Sequence, residues 1–75
     1  MKYHATQWVN GDEIVKASFE TAVDAMFYAM KFEANCVNGP TGILALMDRD
    51  GTWKITREGF REIENHRKEW EPYER

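Results

Sequence analysis

The sequence predicts an α+β domain in which two β-hairpins build one antiparallel sheet and two helices pack on one of its faces. Three observations lead to this class. An Asn-Gly pair separates two β-prone runs, a Thr-x-x-Asp signature opens an apolar segment of helical length, and a second pair of short apolar runs precedes a charged amphipathic segment. The predicted element order is ββαββα, and the predicted sheet has four antiparallel strands.

The first half of the chain predicts a hairpin over residues 2–19 and a helix over residues 22–36. The Asn-Gly pair favours a tight hairpin turn, because both residue types tolerate positive φ angles. Thr21 can cap the helix, since its hydroxyl can accept a hydrogen bond from an amide of the first turn. An Asn-Gly-Pro run at 38–40 ends the helical segment, because glycine favours a left-handed exit and proline has no amide hydrogen.

The second half predicts a hairpin over residues 43–56 and a helix over residues 57–70, followed by a frayed tail over residues 71–75. The apolar run at 43–47 is too short for a helix, and the Asp-rich turn after it leads into a second β-prone run. Alternation along this hairpin places four apolar side chains on one face of the sheet, namely Leu44, Leu46, Trp53 and Ile55.

Composition and charge narrow the classes of function. The chain has 75 residues, and 13 acidic side chains against 10 strongly basic ones leave a net charge of −3. This balance disfavours a general polyanion binder, since phosphate affinity rests on lysine and arginine. One cysteine, no apolar run of membrane-spanning length and no signal-like N-terminus predict a cytoplasmic protein that does not enter a membrane. That cysteine, Cys36, is expected at the negative end of the first helix as a buried thiol, not a nucleophile.

Residue types that carry chemistry do not occur in catalytic or metal-binding patterns. The Asp-rich turn of the second hairpin resembles the calcium loop of EF-hand proteins through Asp48 and Asp50. That loop requires a glycine at its sixth position and a bidentate glutamate at its twelfth, where this chain has Trp53 and Gly59. The matching residues are typical of a hairpin turn followed by a Thr-capped helix. We therefore expect no enzyme, no metal and no cofactor.

Acidic side chains occupy both predicted hairpin tips, with Asp12 and Glu13 at the first and Asp48 and Asp50 at the second. If both tips project from one end of the sheet, they form an acidic cluster that could engage a basic surface of a partner protein. Ordinary turn preference for aspartate explains the same residues. The leading interpretation is a non-enzymatic protein-binding module that acts by surface occlusion. Such modules include small acidic inhibitors and adaptors encoded by viruses and mobile elements, among them anti-CRISPR proteins.

The first predicted helix carries more apolar side chains than one sheet can cover. Phe27 and Met30 lie on this surplus arc, so they contact the final helix, a second copy of the chain in a homodimer, or solvent. The expected contacts on the final helix are Phe60, Ile63 and Trp70. Glu33 falls near the centre of the apolar face, so either the sheet ends before it or it pairs with a base such as His4 or Lys54.

A nucleic-acid-binding module is the alternative interpretation. Residues 51–63 resemble the segment that joins wing and helix in winged-helix DNA-binding domains, where a strand ends in a Thr-capped helix with an early glycine. A winged-helix domain places two further helices before this one, whereas the sequence predicts a single helix there. In this interpretation the contacts come from Tyr3 and Trp8 of the sheet or from the final helix. The basic candidates on that helix are Arg57, Arg61, Arg67 and Lys68.

Overall fold

The structure, a computed structural model, describes residues 1–65. Its elements in chain order are β1 (Tyr3–Val9), β2 (Asp12–Phe19), α1 (Ala22–Lys31), β3 (Cys36–Gly39), β4 (Gly42–Met47), β5 (Trp53–Ile55) and α2 (Arg57–Asn65). The strands form one antiparallel sheet in the order β2-β1-β3-β4-β5. On one face of this sheet, α1 packs over β1, β2 and β3, whereas α2 packs over β4 and β5.

The predicted α+β class is confirmed, but the predicted four strands and the ββαββα order are wrong by one strand. The additional strand, β3, lies at the centre of the sheet and comes from residues that the sequence predicts as the end of a helix over 22–36. The Asn35 amide donates to the Thr6 carbonyl at 2.9 Å, and the Asn35 carbonyl accepts from the Met47 amide at 2.9 Å. Because neighbouring strands satisfy the backbone on both sides, tertiary pairing overrides the helical pattern here.

The first helix begins where the capping signature predicts and ends five residues earlier than expected, at Lys31. The Thr21 hydroxyl accepts a hydrogen bond from the Asp24 amide at 3.2 Å, which is the predicted N-terminal cap. At the other end, Phe32 has an extended backbone, and its amide donates to the Tyr28 carbonyl at 3.0 Å. Because the helix ends at Lys31, residues 32–35 can connect it to β3, which begins at Cys36.

The first hairpin lies within the predicted range of 2–19. Asn10 and Gly11 form its turn with φ angles of 53° and 86°, the left-handed region that this residue pair tolerates. The pairing of β2 with β1 skips Lys16, which makes a bulge in the edge strand of the sheet. A bulge and a lysine on an edge strand both discourage pairing with another chain through its free backbone groups.

Small side chains let α1 approach the sheet closely. Its buried residues are Ala22, Ala25, Met26 and Ala29, and they pack on the buried Ala5, Val37 and Ala45 of the sheet. Gly59 does the same for α2, because a β-carbon at this position would overlap the Leu44 carbonyl oxygen. Leu44 and Val37 are among the largest fully buried side chains of the described residues. The core is therefore thin and made mostly of alanine, and two bulky aliphatic side chains fill its centre.

A second bulge, between β3 and β4, changes which side chains face the helices. The register shifts at Asn38, so Leu44 and Ala45 both join the core although they are adjacent in sequence. Leu46 then pairs with Lys54 on the opposite face, whereas Ala45 pairs with Ile55 on the helix face. The prediction that Leu46 shares a face with Leu44 and Ile55 is wrong, since one extra residue inverts the alternation.

Some sequence predictions fall outside the described residues. They are the end of the final helix up to residue 70, the tail over 71–75, the apolar contact at Trp70, and the basic candidates Arg67 and Lys68. Among the helices of residues 1–65, none has the length and apolar character needed to cross a bilayer.

Candidate protein-interaction surfaces

The sheet face opposite the helices, termed here the outer face, has no helix of residues 1–65 packed on it. The strand registers place Thr6, Cys36, Leu46 and Lys54 in one row across this face. A groove of about 240 Å³, termed here the outer groove, runs beside this row. Its lining residues are Trp8, Asn35, Cys36, Ile43, Leu46 and Met47.

The outer groove is bordered by large apolar side chains that remain in contact with solvent. Trp8 is 45% exposed, Leu46 is 40% exposed and Ile43 is 39% exposed. Val15 extends the apolar surface across β1, because it pairs with Thr6 on the same face. Contiguous exposed apolar surface of this kind marks interaction sites in soluble proteins. The groove is not predictable from the sequence, since the bulge that turns Leu46 outward has no local signature.

The Asn35 side chain positions one border of the groove. Its carbonyl oxygen accepts a hydrogen bond from the Trp8 amide at 2.9 Å, and its amide nitrogen donates to the Trp8 carbonyl at 3.3 Å. The Asn35 side chain thereby extends the pairing between β1 and β3 by one residue before Cys36, where β3 begins. It holds the backbone of β1 next to the groove. An isolated asparagine in a predicted helix end offered no signal of this role.

The floor of the groove is uncharged. Thr6 and Cys36 are buried side by side, and the Thr6 hydroxyl oxygen makes no hydrogen bond of normal geometry to any described residue. Burial raises the pKa of the Cys36 thiol, and the nearby Thr6 hydroxyl and Trp8 side chain oppose that shift. The predicted burial of Cys36 is confirmed, although it begins a strand instead of ending a helix. A protonated, buried thiol lines an apolar groove and is a poor nucleophile.

The other half of the outer face is polar and internally hydrogen-bonded. The Asn38 side-chain amide donates to the Glu13 carboxylate, which reaches across β1 from the edge strand. His4 Nδ1 lies 2.7 Å from the Ser18 hydroxyl oxygen. Glu13 is therefore not at a hairpin tip, as the sequence predicts, but folded onto the sheet. These contacts satisfy polar groups beside the outer groove, and the Glu13 carboxylate lies close enough to Cys36 for its charge to add to burial in raising the pKa of that thiol.

The β1–β2 turn and the β4–β5 turn project from the same end of the sheet, because β1 and β4 run in the same direction as common antiparallel neighbours of β3. Exposed or partly exposed carboxylates gather there, and we term this region the acidic end. Its residues are Asp12 at the start of β2, Glu33 of the loop before β3, and Asp48 and Asp50 of the turn between β4 and β5. The basic side chains nearby are Lys31, Arg49 and Lys54. The groove opens at this end, since Met47 directly precedes the second turn.

Asp48 has a structural task within the second turn. Its Oδ1 atom accepts hydrogen bonds from the Asp50 amide at 2.9 Å and from the Thr52 amide at 3.0 Å, while Oδ2 lies 3.7 Å from Lys54 Nζ. The Thr52 amide is the main reason that the pKa of Asp48 is lowered, and the Asp50 amide and Lys54 add to it. Within residues 1–65 no three side chains of metal-binding type lie together. Asp48 therefore acts as the cap of an Asx-type turn.

The surplus apolar arc of α1 is exposed. Phe27 is 41% exposed and Met30 is 62% exposed, as is Phe60 of α2 at 62%. Much of each of these three side chains is therefore in contact with solvent. Met26 of α1 lines a narrow crevice together with Ile63 of α2.

Glu33 is exposed beyond the end of α1, which decides between the two interpretations of its position. The pairing with His4 or Lys54 is wrong, since His4 contacts Ser18 and Lys54 contacts Asp48. The alternative prediction, that the sheet does not extend far enough to cover Glu33, is confirmed. The carboxylate consequently contributes to the surface charge of the acidic end.

The described part of α2 does not present a basic face. Arg57 and Arg61 are exposed, but Arg61 Nη1 lies 3.8 Å from Glu58 Oε1. Two further acidic residues, Glu62 and Glu64, follow on the same short helix. The segment that resembles a winged-helix phrase lies on β5 and α2, beside a five-stranded antiparallel sheet. Mixed signs on one helix are typical of a solvated surface.

Comparison with known proteins identifies no relative: no family model matches the chain, and no curated protein or solved structure matches it. A function therefore has to be inferred from the outer groove, the acidic end and the exposed face of α1.

Proposed function

We propose that this protein is a non-enzymatic protein-binding module, an inhibitor or adaptor that covers part of its partner with the outer groove and the acidic end. The observation that carries the proposal is the position of an apolar groove on a sheet face that no helix of residues 1–65 covers, opening at an end where carboxylates are concentrated. The expected partner surface is an apolar side chain flanked by basic residues.

The outer groove suits an apolar anchor from a partner. Its volume of about 240 Å³ and its borders of Trp8, Ile43 and Leu46 offer a site in which one or two side chains lose contact with water. Burying one leucine or phenylalanine side chain contributes roughly 1.5–3 kcal/mol. Anchors of this kind, enclosed by a rim that excludes water, supply most of the affinity of protein interfaces.

The acidic end adds selectivity for basic partners. Its carboxylates are exposed or partly exposed, and the whole chain is negative, so a positive surface is attracted before contact and a negative one is repelled. Attraction between exposed charges is screened by salt over a Debye length of about 8 Å at physiological ionic strength. Complex formation is therefore expected to slow as the salt concentration rises, whereas the apolar anchor persists.

The groove chemistry fits binding without a reaction. Its one nucleophilic group is the Cys36 thiol, whose pKa is raised by burial. The surface can occlude a partner but offers no activated group toward a bound molecule. An inhibitor acting in this way prevents its partner from contacting its own ligand.

The proposal is tested by affinity capture from the natural host with matched variants, followed by binding of the purified partner. Leu46→Lys introduces a charge into the outer groove and is expected to abolish capture of the specific protein. Phe60→Ser is the matched control, because Phe60 is similarly apolar and more exposed but lies on the helix layer. If both variants lose binding equally, or if neither loses it, the outer groove is not part of the interface.

The contribution of the acidic end is measured with the purified partner. The double variant Asp12→Asn, Asp50→Asn is expected to slow association several-fold at low salt and to leave dissociation nearly unchanged. Glu20→Gln serves as the control, since Glu20 is exposed at the opposite end of the sheet. Asp48 is left intact because its carboxylate supports the turn. Association rates independent of salt would contradict the electrostatic part of the proposal.

A further inference from the structure

The exposed face of α1 has a pattern that is complementary to itself. Viewed down the helix, Val23, Phe27 and Met30 form one apolar stripe, and Asp24 and Lys31 lie along one border of that stripe, seven residues apart. Asp24 and Lys31 are exposed, as are Phe27 and Met30, while Val23 is partly exposed. The surplus arc thus combines an apolar centre with one charge of each sign.

An antiparallel pair of such helices satisfies every element of this pattern. With Phe27 of both copies at a two-fold axis, residues whose numbers sum to about 54 lie at the same height. Along one edge of the interface, Val23 then meets Met30 of the partner subunit. Along the other edge, Asp24 meets the partner subunit's Lys31, and the two-fold axis repeats each contact. A parallel two-fold arrangement would put Asp24 and Lys31 of the two copies at opposite edges of the interface, each beside the apolar stripe of the other copy, so neither ion pair would form.

We propose that α1 is a homodimer interface, in which two copies pack antiparallel around Phe27 with two Asp24–Lys31 ion pairs between them. Self-complementarity of a single patch is the requirement for a two-fold dimer, and the charges on this face meet it. A heterologous partner would need no such internal symmetry. The occupant that this face fits is therefore a second copy of the chain.

The size of the stripe sets the expected strength. A helix of ten residues is about 15 Å long, so two such helices bury less than the roughly 1,200 Å² of a small stable interface. The dimer is consequently expected to be weak and concentration-dependent. Since α1 packs on the face opposite the outer groove, both grooves remain open in the dimer. A partner with two sites is then bound bivalently, which raises the apparent affinity without new contacts.

Sedimentation equilibrium across micromolar to millimolar concentrations tests the interface through its charges. Asp24→Lys and Lys31→Asp are each expected to weaken self-association roughly tenfold, because both ion pairs become repulsive. An equimolar mixture of the two variants is expected to regain wild-type association. One variant then presents two basic side chains on this face and the other two acidic ones, so both contacts between unlike chains are attractive. A merely destabilised helix would not be rescued by mixing, because each variant remains as unstable as before.

Three results would overturn the dimer: a wild-type chain that is monomeric at millimolar concentration, a mixture that associates no better than either variant, or unchanged association after Phe27→Glu. Circular dichroism establishes that each variant is folded. Leu46→Lys is the control that separates the two proposals, because it alters the outer groove and is expected to leave self-association unchanged. Loss of partner capture in Phe27→Glu together with a monomeric wild type would assign this face to a different protein.

Discussion

The side chain of Asn35 is paired with the backbone of Trp8 through two hydrogen bonds, one accepted at 2.9 Å and one donated at 3.3 Å. A side-chain amide here takes the place of a strand residue, so β1 stays hydrogen-bonded beyond the start of β3. The consequence is functional as well as structural, because Trp8 borders the outer groove.

Replacing Asn35 by leucine is expected to destabilise the fold and to loosen the groove border. Both hydrogen bonds are lost, and since they are partly solvated the free energy of unfolding falls by about 1–2 kcal/mol. Asn35→Asp keeps the acceptor for the Trp8 amide but brings a carboxylate near the Trp8 carbonyl, so an intermediate loss is expected. Urea unfolding followed by tryptophan fluorescence measures both. Equal stability of all three proteins would show that the pairing contributes nothing.

Gly59→Ala is expected to be among the most damaging small substitutions. The added β-carbon would overlap the Leu44 carbonyl oxygen and lie 2.7 Å from Ile55 Cγ2. That carbonyl accepts hydrogen bonds from the Thr56 amide and hydroxyl, so it cannot easily move aside. The free energy of unfolding should fall by more than about 3 kcal/mol.

Gly39→Ala provides the comparison for Gly59→Ala. Its β-carbon would come 3.0 Å from Leu44 Cδ1 and 3.2 Å from Tyr3 Cε1, both of which are side-chain atoms that can adjust. A loss of about 1 kcal/mol is expected. Urea midpoints for the two variants should therefore differ clearly, and the reverse order would contradict the close approach of α2 to β4.

Asp48 should make stability depend on acid pH. Its pKa is lowered below the ordinary value of 3.8, chiefly by the Thr52 amide, so the unfolded chain takes up this proton first as pH falls. The stabilisation is therefore complete above 3.8 and is lost as pH falls through the folded-state pKa. Asp48→Asn retains an oxygen acceptor without the charge. We expect the wild type to exceed this variant in urea midpoint at neutral pH, with the difference vanishing in strong acid.

Thr6→Val is expected to be neutral or stabilising. The Thr6 hydroxyl is buried without a hydrogen bond of normal geometry to any described residue, so its removal recovers a desolvation cost of up to about 1 kcal/mol. Thr41→Val, at an exposed position, is the control for a general effect of valine. A loss of more than about 1 kcal/mol in Thr6→Val alone would mean that the hydroxyl is satisfied, with the Cys36 sulfur as the nearest candidate.

Local signals in the sequence were enough for the features that depend on neighbouring residues. The turn at Asn10 and Gly11, the cap at Thr21 and the two-helix α+β class all follow from backbone preferences that act over a few residues. Acidic residues at both turns were also evident from the sequence, although Glu13 lies on the outer face and Asp48 supports its own turn.

Only the tertiary structure decided which residues became β3 and which side of the sheet Leu46 occupies. Cys36 and Val37 become a strand because they pair with β1 on one side and β4 on the other. These hydrogen-bond partners are distant in sequence and come together only when the chain folds. A single bulge opposite Asn38 then inverts the alternation of β4. The outer groove results from these two long-range events, which is why residue order alone predicts the fold class but not the surface proposed to bind a partner.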